Sequence, residues 1–130
     1  MDIEAIRTYC LAQPLATEDS AFGEETVLFR IYDRIFAFLD LTRPDVVVLK
    51  CNPDKAIDLR DRYEGIRGAW HWNKRYWNEI HFDTDVPDEL IYDLIDHSLH
   101  EVLHKLPQKI QKEYDAYLTS SAGELVCSSL

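Results

Sequence analysis

The sequence predicts an α+β domain: a mostly antiparallel sheet of about five strands with helices packed on it. Three observations lead there. Helix-period and strand-period segments follow in the order helix, three strands, helix, two strands, helices, with no repeated strand–helix–strand unit to force a parallel sheet. The run Ile35-Phe36-Ala37-Phe38-Leu39 is apolar on both faces, as a central strand is. Asn52-Pro53 places a capping side chain before a proline at the first helical position, a sharp switch from strand to helix.

Taken in order, residues 2–13 read as a helix: Asp2 can cap it, Ile3, Ile6 and Cys10 recur at the helical spacing with Tyr9 beside them, and Pro14 stops it. Leu15 to Glu25 is polar and reads as a loop with Phe22 tucked in. Thr26–Ile31 and Arg34–Leu41 are β-rich runs separated by Tyr32-Asp33, a poor two-residue turn because neither residue favours a positive φ as glycine does. Val46 to Cys51 forms a third strand after Arg43-Pro44-Asp45. The next helix runs to about Tyr63, with Asp58/Arg62 and Arg60/Glu64 as i,i+4 pairs and Gly65 closing it. Two strands follow, at 67–72 and 77–83. A long helix after Asp85 and Pro87 carries the stripe Leu90, Ile91, Leu94, Ile95, Val102 and Leu106, and Pro107 breaks it. Residues 108–118 add a last amphipathic helix. The chain therefore reads as one domain over 1–118, followed by a loose tail over 119–130.

The totals narrow the function. A chain of 130 residues with 46% apolar and 29% charged residues can bury a core without staples. No run approaches the roughly 18 apolar residues of a membrane span, and the acidic start Met1-Asp2-Ile3-Glu4 lacks the basic region of a signal peptide. Cys10, Cys51 and Cys127 are far apart and in no Cys-x-x-Cys arrangement; they read as reduced thiols of a cytoplasmic protein. The four glycines, at 23, 65, 68 and 123, make no phosphate loop, and no serine sits in a nucleophile elbow. Net charge of −10 opposes general nucleic-acid binding. Its distribution softens that objection, because residues 30–75 hold ten cations against seven acids.

The densest chemistry is Trp70-His71-Trp72-Asn73-Lys74-Arg75-Tyr76-Trp77. A turn carrying Lys74 and Arg75 among aromatic rings can neutralise phosphates and offer flat faces for stacking. The alternative is that the rings are core and the cations keep the turn wet. Strand alternation puts Trp77, Glu79 and His81 on one face and Ile80 and Phe82 on the other, so Trp77 is either covered or available to a ligand. On the long helix, Asp93, His97, His100 and His104 fall within about a 60° arc away from the apolar stripe. His100 and His104 at i,i+4 can chelate zinc or nickel, but no orienting partners are visible, and a solvated face is the simpler reading; no metal or other cofactor is expected. His71 and His81, on the strands, can equally be hydrogen-bonded sheet residues.

An ordered set of motifs resembles the MmcQ/YjbR family of small bacterial proteins: Phe22-Gly23, Leu49-Lys50-Cys51-Asn52-Pro53, Leu59-Arg60, Tyr63-Glu64-Gly65, His71, Asn73-Lys74-Arg75, Trp77-Asn78, Val86-Pro87-Asp88, Ile95-Asp96-His97-Ser98 and Lys105-Leu106-Pro107. The resemblance covers about residues 5–112. It departs at Ala69, Trp70, Trp72 and Tyr76, where Gly, Tyr, Met and His are usual, and at Gln108, which replaces a lysine. It implies a frataxin-like (CyaY-like) two-layer α+β sandwich with a "double wing" proposed to bind DNA. Some relatives sit near antibiotic biosynthesis or resistance functions. No catalytic residues carry over.

The leading expectation is therefore a non-enzymatic DNA-binding protein. Arg43, Lys50, Lys74 and Arg75 are its phosphate contacts, Trp72 and Trp77 its stacking faces, and Asn73 a hydrogen-bonder. The competing expectation is a module that binds a protein or a small planar ligand in a tryptophan-lined groove. A metal-dependent enzyme on the histidine stripe ranks third, and no membrane partner is expected.

Overall fold

A computed structural model describes the backbone of residues 1–128 and the side chains of residues 1–120. The elements are α1 (Ile3–Leu11), β1 (Thr17–Asp19), β2 (Thr26–Ile31), β3 (Arg34–Asp40), β4 (Val46–Lys50), α2 (Pro53–Arg62), β5 (Ile66–Gly68), β6 (Trp77–His81), α3 (Asp88–His104) and α4 (Gln108–Ser128). The α+β expectation holds. The strands form one open, fully antiparallel sheet in the order β1-β2-β3-β4-β6-β5.

The sheet has six strands, one more than the sequence suggests. The extra strand, β1, lies where the polar stretch reads as a loop. Thr17-Glu18-Asp19 has no apolar alternation to reveal it. Its antiparallel ladder to β2, Thr17 opposite Arg30 through Asp19 opposite Leu28, makes it a strand, and ion pairs flank it: Arg7 Nη2 lies 2.6 Å from Glu18 Oε1, and Arg30 Nε lies 2.6 Å from Asp19 Oδ2. The β2–β3 connection is also a correction. Tyr32 and Asp33 adopt φ of +47° and +64°, the two-residue geometry the sequence judged unfavourable. Aspartate tolerates that region, and the Tyr32 ring offsets its own strain by packing edge-on to Tyr114, with centroids 6.1 Å apart.

Asn52 caps α2 as expected, its Oδ1 accepting from the backbone N–H groups of Asp54 and Lys55 at 3.0 and 3.2 Å. The Asp58–Arg62 pair forms at 3.1 Å. Arg60 does not reach Glu64; its Nε donates to the Ala56 carbonyl at 3.2 Å. Gly65 is not a left-handed cap either. The helix ends in extended backbone at Tyr63, and Gly65 is small because a Cβ there would lie 2.0 Å from Thr84 Oγ1. The helix α4 continues past residue 118, where the sequence predicts a tail. No proline follows Pro107, and Ala, Glu and Leu are compatible with helix. The end of the expected tail, residues 129–130, lies outside the described residues.

The principal core lies between the helices and one sheet face. Phe29, Ala37, Leu39, Val47, Leu49 and Ile80 meet Ile6 and Cys10 of α1, Ala56 and Leu59 of α2, Ile91, Ile95 and Leu99 of α3, and Tyr114 of α4. Burial pushes the Cys10 thiol up to about 12 and the Cys51 thiol up to about 11, so both are poor nucleophiles at neutral pH. The side chain of Cys127 lies outside the described residues. Among them, no helix is long and apolar enough to cross a membrane.

One polar residue is set into this core. Ser98 of α3 is fully buried; its hydroxyl donates to the Phe36 carbonyl at 2.5 Å and accepts from the Lys50 N–H at 2.9 Å. The β3–β4 ladder pairs Ala37 with Leu49 and Phe38 with Val48, then ends. Ser98 occupies the next rung and satisfies the two strand groups that would otherwise be left without partners. Ser98→Ala is expected to cost about 1–3 kcal/mol, because it strands a carbonyl and an N–H near the core. Urea denaturation would read this as a lower midpoint with unchanged slope; an unchanged midpoint would contradict the bridging role.

Candidate functional site

The second face of the sheet is apolar as well. Leu28, Val46 and Val48 are buried there without belonging to the helix-side core, and Phe38 lies beside them. An apolar face needs a cover, and among the described residues no helix supplies it. Residues 69–76 and Phe22 do.

The cover is built from tight turns. The Ala69 N–H donates to the Trp77 carbonyl at 3.0 Å and the Trp72 N–H to the Ala69 carbonyl at 3.2 Å. The Asn73 carbonyl accepts from the N–H groups of Tyr76 and Trp77 at 3.1 and 2.9 Å, while its side-chain oxygen accepts from the Arg75 N–H at 3.0 Å. Asn73 is thus an Asx turn former, spent on its own backbone. His71 takes a φ of +70°, and its ring stacks on Trp70 with centroids 4.2 Å apart and planes 26° apart. The segment folds back over the sheet instead of protruding from it.

This folding brings the aromatics together. The Trp72 ring lies 4.5 Å from Trp77, 5.2 Å from Phe38 and 6.1 Å from Phe22, centroid to centroid. Trp70 stands apart, 66% exposed. Between the turn and the sheet is a cavity of about 530 Å³. Its walls are Phe22, Phe38, Val46, Val48, Trp70 and Trp72, with Asp40, Thr42, Arg43 and His71 as polar lining.

A buried carboxylate anchors one side. Glu79, on the same face as Trp77, is 5% exposed. One oxygen accepts from the Trp70 N–H at 3.2 Å; the other lies 2.5 Å from Arg43 Nη2 and 3.0 Å from His81 Nε2. Burial pushes the Glu79 carboxyl up, but the Arg43 hydrogen bond, the Trp70 N–H and the charges of Arg43 and His81 outweigh it and hold the group below its ordinary value. Glu79 therefore ties the cavity's Arg43 and Trp70 to β6. On the opposite side, Asp40 Oδ1 accepts from both the hydroxyl and the N–H of Thr42, at 2.6 and 2.9 Å.

The residues singled out in the sequence do not form one surface. Arg43 is committed to Glu79. Trp72 and Trp77 pack on each other. Lys74 and Arg75 are exposed on the turn, with the Lys74 stem over Gly68 and the Arg75 guanidinium 5.7 Å from the Tyr76 ring centre. Lys50 lies elsewhere, in a second cleft of about 440 Å³ shared with Arg30, Arg34, Lys105 and Trp77. Glu79, Phe22, Phe38 and the β4 valines carry the cavity but were not singled out. The strand alternation that sets Glu79 beside Trp77 is the signal that could have found it.

The histidine arc is largely a solvated face, as expected: Asp93, His100 and His104 are exposed, and His97 is half-buried. His97 Nε2 accepts from the Asn52 N–H at 3.1 Å, joining α3 to the start of α2, and burial followed by the Lys55 charge pushes its pKa down. His100 and His104 stack with centroids 3.8 Å apart, and His104 Nδ1 lies 3.1 Å from the His100 carbonyl. No group of three or more His, Cys, Asp or Glu is placed to hold a metal among the described residues. His81 is a hydrogen-bonded strand residue as expected, while His71 belongs to the turn.

The Glu79 geometry has a pH signature. A carboxylate with a lowered folded pKa adds stability that is fully present above its unfolded value, near 4.5, and lost as pH falls through the folded value. Glu79→Gln is expected to cost about 1–3 kcal/mol at neutral pH. The gap from wild type should narrow as pH falls below about 4.5. Urea midpoints of both proteins across that range would check this, and a gap independent of pH would count against it.

The YjbR family model matches residues 11–100. YjbR of Escherichia coli K12 is 29% identical over 113 residues, covering 86% of this chain and 96% of the relative. YbdF of Escherichia coli O157:H7 is 27% identical, covering 84% and 90%. A crystal structure of Deinococcus radiodurans protein DR2400 is similar at a TM-score of 0.80 and 30% identity, over 85% of this chain and 86% of that one. A Pseudomonas syringae protein shares the fold at a TM-score of 0.64 and 21% identity, over 75% and 96%. A family match across most of the sheet, the aromatic turn and α3 therefore agrees with a close structural relative, and this chain belongs to the YjbR family.

Proposed function

We propose that this chain is a binding protein, not a catalyst, and that its ligand is a small, planar, largely uncharged molecule held between the tryptophan turn and the open sheet face. The cavity carries this reading. Its volume of about 530 Å³ lies within the range of roughly 300–1,000 Å³ typical of small-molecule sites. Its walls are aromatic and branched aliphatic, and its few polar groups are already fixed: Arg43 by Glu79, and Asp40 by Thr42. A flat ring entering beside Trp70 would meet Phe22, Phe38 and Trp72 without first separating a packed pair.

Ligand-observed NMR with uncharged bicyclic aromatics such as naphthol tests this. Trp70→Ala removes an exposed wall and is expected to weaken binding about three- to tenfold, the scale of one aromatic pair. Replacing both Lys74 and Arg75 with Ala should leave it unchanged. Absence of binding across such a panel, or a Trp70→Ala variant that binds as wild type does, would reject the proposal.

One observation favours DNA binding as a second reading. The Tyr76 ring has Arg75 at 5.7 Å and Lys105 at 5.2 Å, which carries positive charge from the turn to the end of α3. Against it stand the net charge of −10 and the folding of the turn back onto the sheet, which leaves Trp72 and Trp77 half-buried and lining different concavities instead of projecting as one stacking surface. If DNA binds, replacing both Lys74 and Arg75 with Ala should flatten the salt dependence by about two phosphate contacts. Titrations at two salt concentrations would measure it; no binding at low salt would remove this reading.

A further inference from the structure

A second cleft, separate from the tryptophan cavity, opens at the opposite end of the β3–β4 pair. Its cationic lining comes from three places: Arg34 at the start of β3, Lys50 at the end of β4, and Lys105 just past α3. Trp77, Val102 and Leu106 give it an apolar wall. Arg30 also lines it but is committed, with Nε 2.6 Å from Asp19 Oδ2 and Nη1 donating to the Asp33 carbonyl at 3.1 Å. Two acids stand near: Asp33 in the lining, and Glu101, whose charge reaches Lys50. Neither pairs with the cations. Among the described residues, Arg34, Lys50 and Lys105 make no ion pair within 4.0 Å.

Three like charges around one concavity repel each other, and Lys50, partly withdrawn from water, feels this most. Burial pushes its pKa down, and the charges of Lys105 and Arg34 add to that against the pull of Glu101. In a chain of net charge −10, such a gathering calls for a counter-charge from outside. The geometry also sets its shape. Cations from two strand ends and the end of a helix converge on a compact group, whereas an extended backbone would need a line of them.

We infer that this cleft binds a phosphomonoester: the dianionic phosphate between Arg34, Lys50 and Lys105, and the organic part against Trp77, Val102 and Leu106. The site is independent of the aromatic cavity and stands whether or not that cavity takes a ligand.

The test is an amide-shift NMR titration of the full chain with phenyl phosphate, inorganic phosphate and phenol. Phenyl phosphate is expected to move the amides of Arg34, Lys50 and Lys105 saturably, about tenfold more tightly than inorganic phosphate, with phenol leaving them still. Lys50→Met keeps the stem and the backbone N–H that Ser98 binds, and should weaken phenyl phosphate at least tenfold. Should that variant fail to fold, Arg34→Gln and Lys105→Gln replace exposed cations and should each weaken it several-fold. Trp70→Ala should have no effect. Shifts that never saturate, that survive Lys50→Met and the two glutamine variants, or that sodium chloride reproduces would overturn the inference. So would inorganic phosphate binding as tightly as the ester, or an oligonucleotide lacking terminal phosphates binding these residues more tightly than phenyl phosphate.

Discussion

A sheet whose middle strands are apolar on both faces must be covered twice. Here that requirement shapes the molecule. Helices cover one face with a continuous core that reaches from Ile6 to Tyr114. The other face, with Leu28, Phe38, Val46 and Val48, has, among the described residues, a short turn and one loop phenylalanine. A turn cannot match a helix in contact area, so large rings do the work, and even they leave space. The cavity is the residue of that mismatch between a long apolar face and a small cover.

Such a cover needs anchoring, because rings lying on rings slide without directional bonds. Glu79 provides it. Its carboxylate is buried under the turn, yet it stays ionised because Arg43, His81 and the Trp70 N–H surround it. Buried carboxylates are costly unless paired and hydrogen-bonded, and this one is both. A polar group set into an apolar junction fixes where the parts meet. Ser98 does the same on the helix side, where its hydroxyl fixes α3 against the splayed end of β3 and β4.

The elements with strong periodicity or caps were legible in the sequence: α2 through Asn52-Pro53, β3 through its doubly apolar run, and α3 through its stripe. What stayed hidden was decided by partners far along the chain. Nothing local in Thr17-Glu18-Asp19 marks a strand; the ladder to β2 makes it one, with Arg7 and Arg30 pairing its acids. Tyr32 accepts a positive φ because Tyr114, distant in sequence, gives its ring a place to pack. The aromatic-basic stretch stands out in the sequence, but its meaning depends on whether the turn projects or folds back. Hydrogen bonds to Asn73 and the buried Glu79 settle that geometry, and neither follows from spacing alone. Arg43 and Lys50 looked alike as cations; they flank β4 at opposite ends and face different concavities.

The turn over residues 69–76 closes through its own backbone hydrogen bonds, and its rings rest on a face separate from the helix-side core. Trp70 and Trp72 sit in that cover and not in the helix-side core. Exchanges there would reshape the recess while leaving the helix-side core untouched. The shape of that recess is thereby set by side chains on which the helix-side core does not depend.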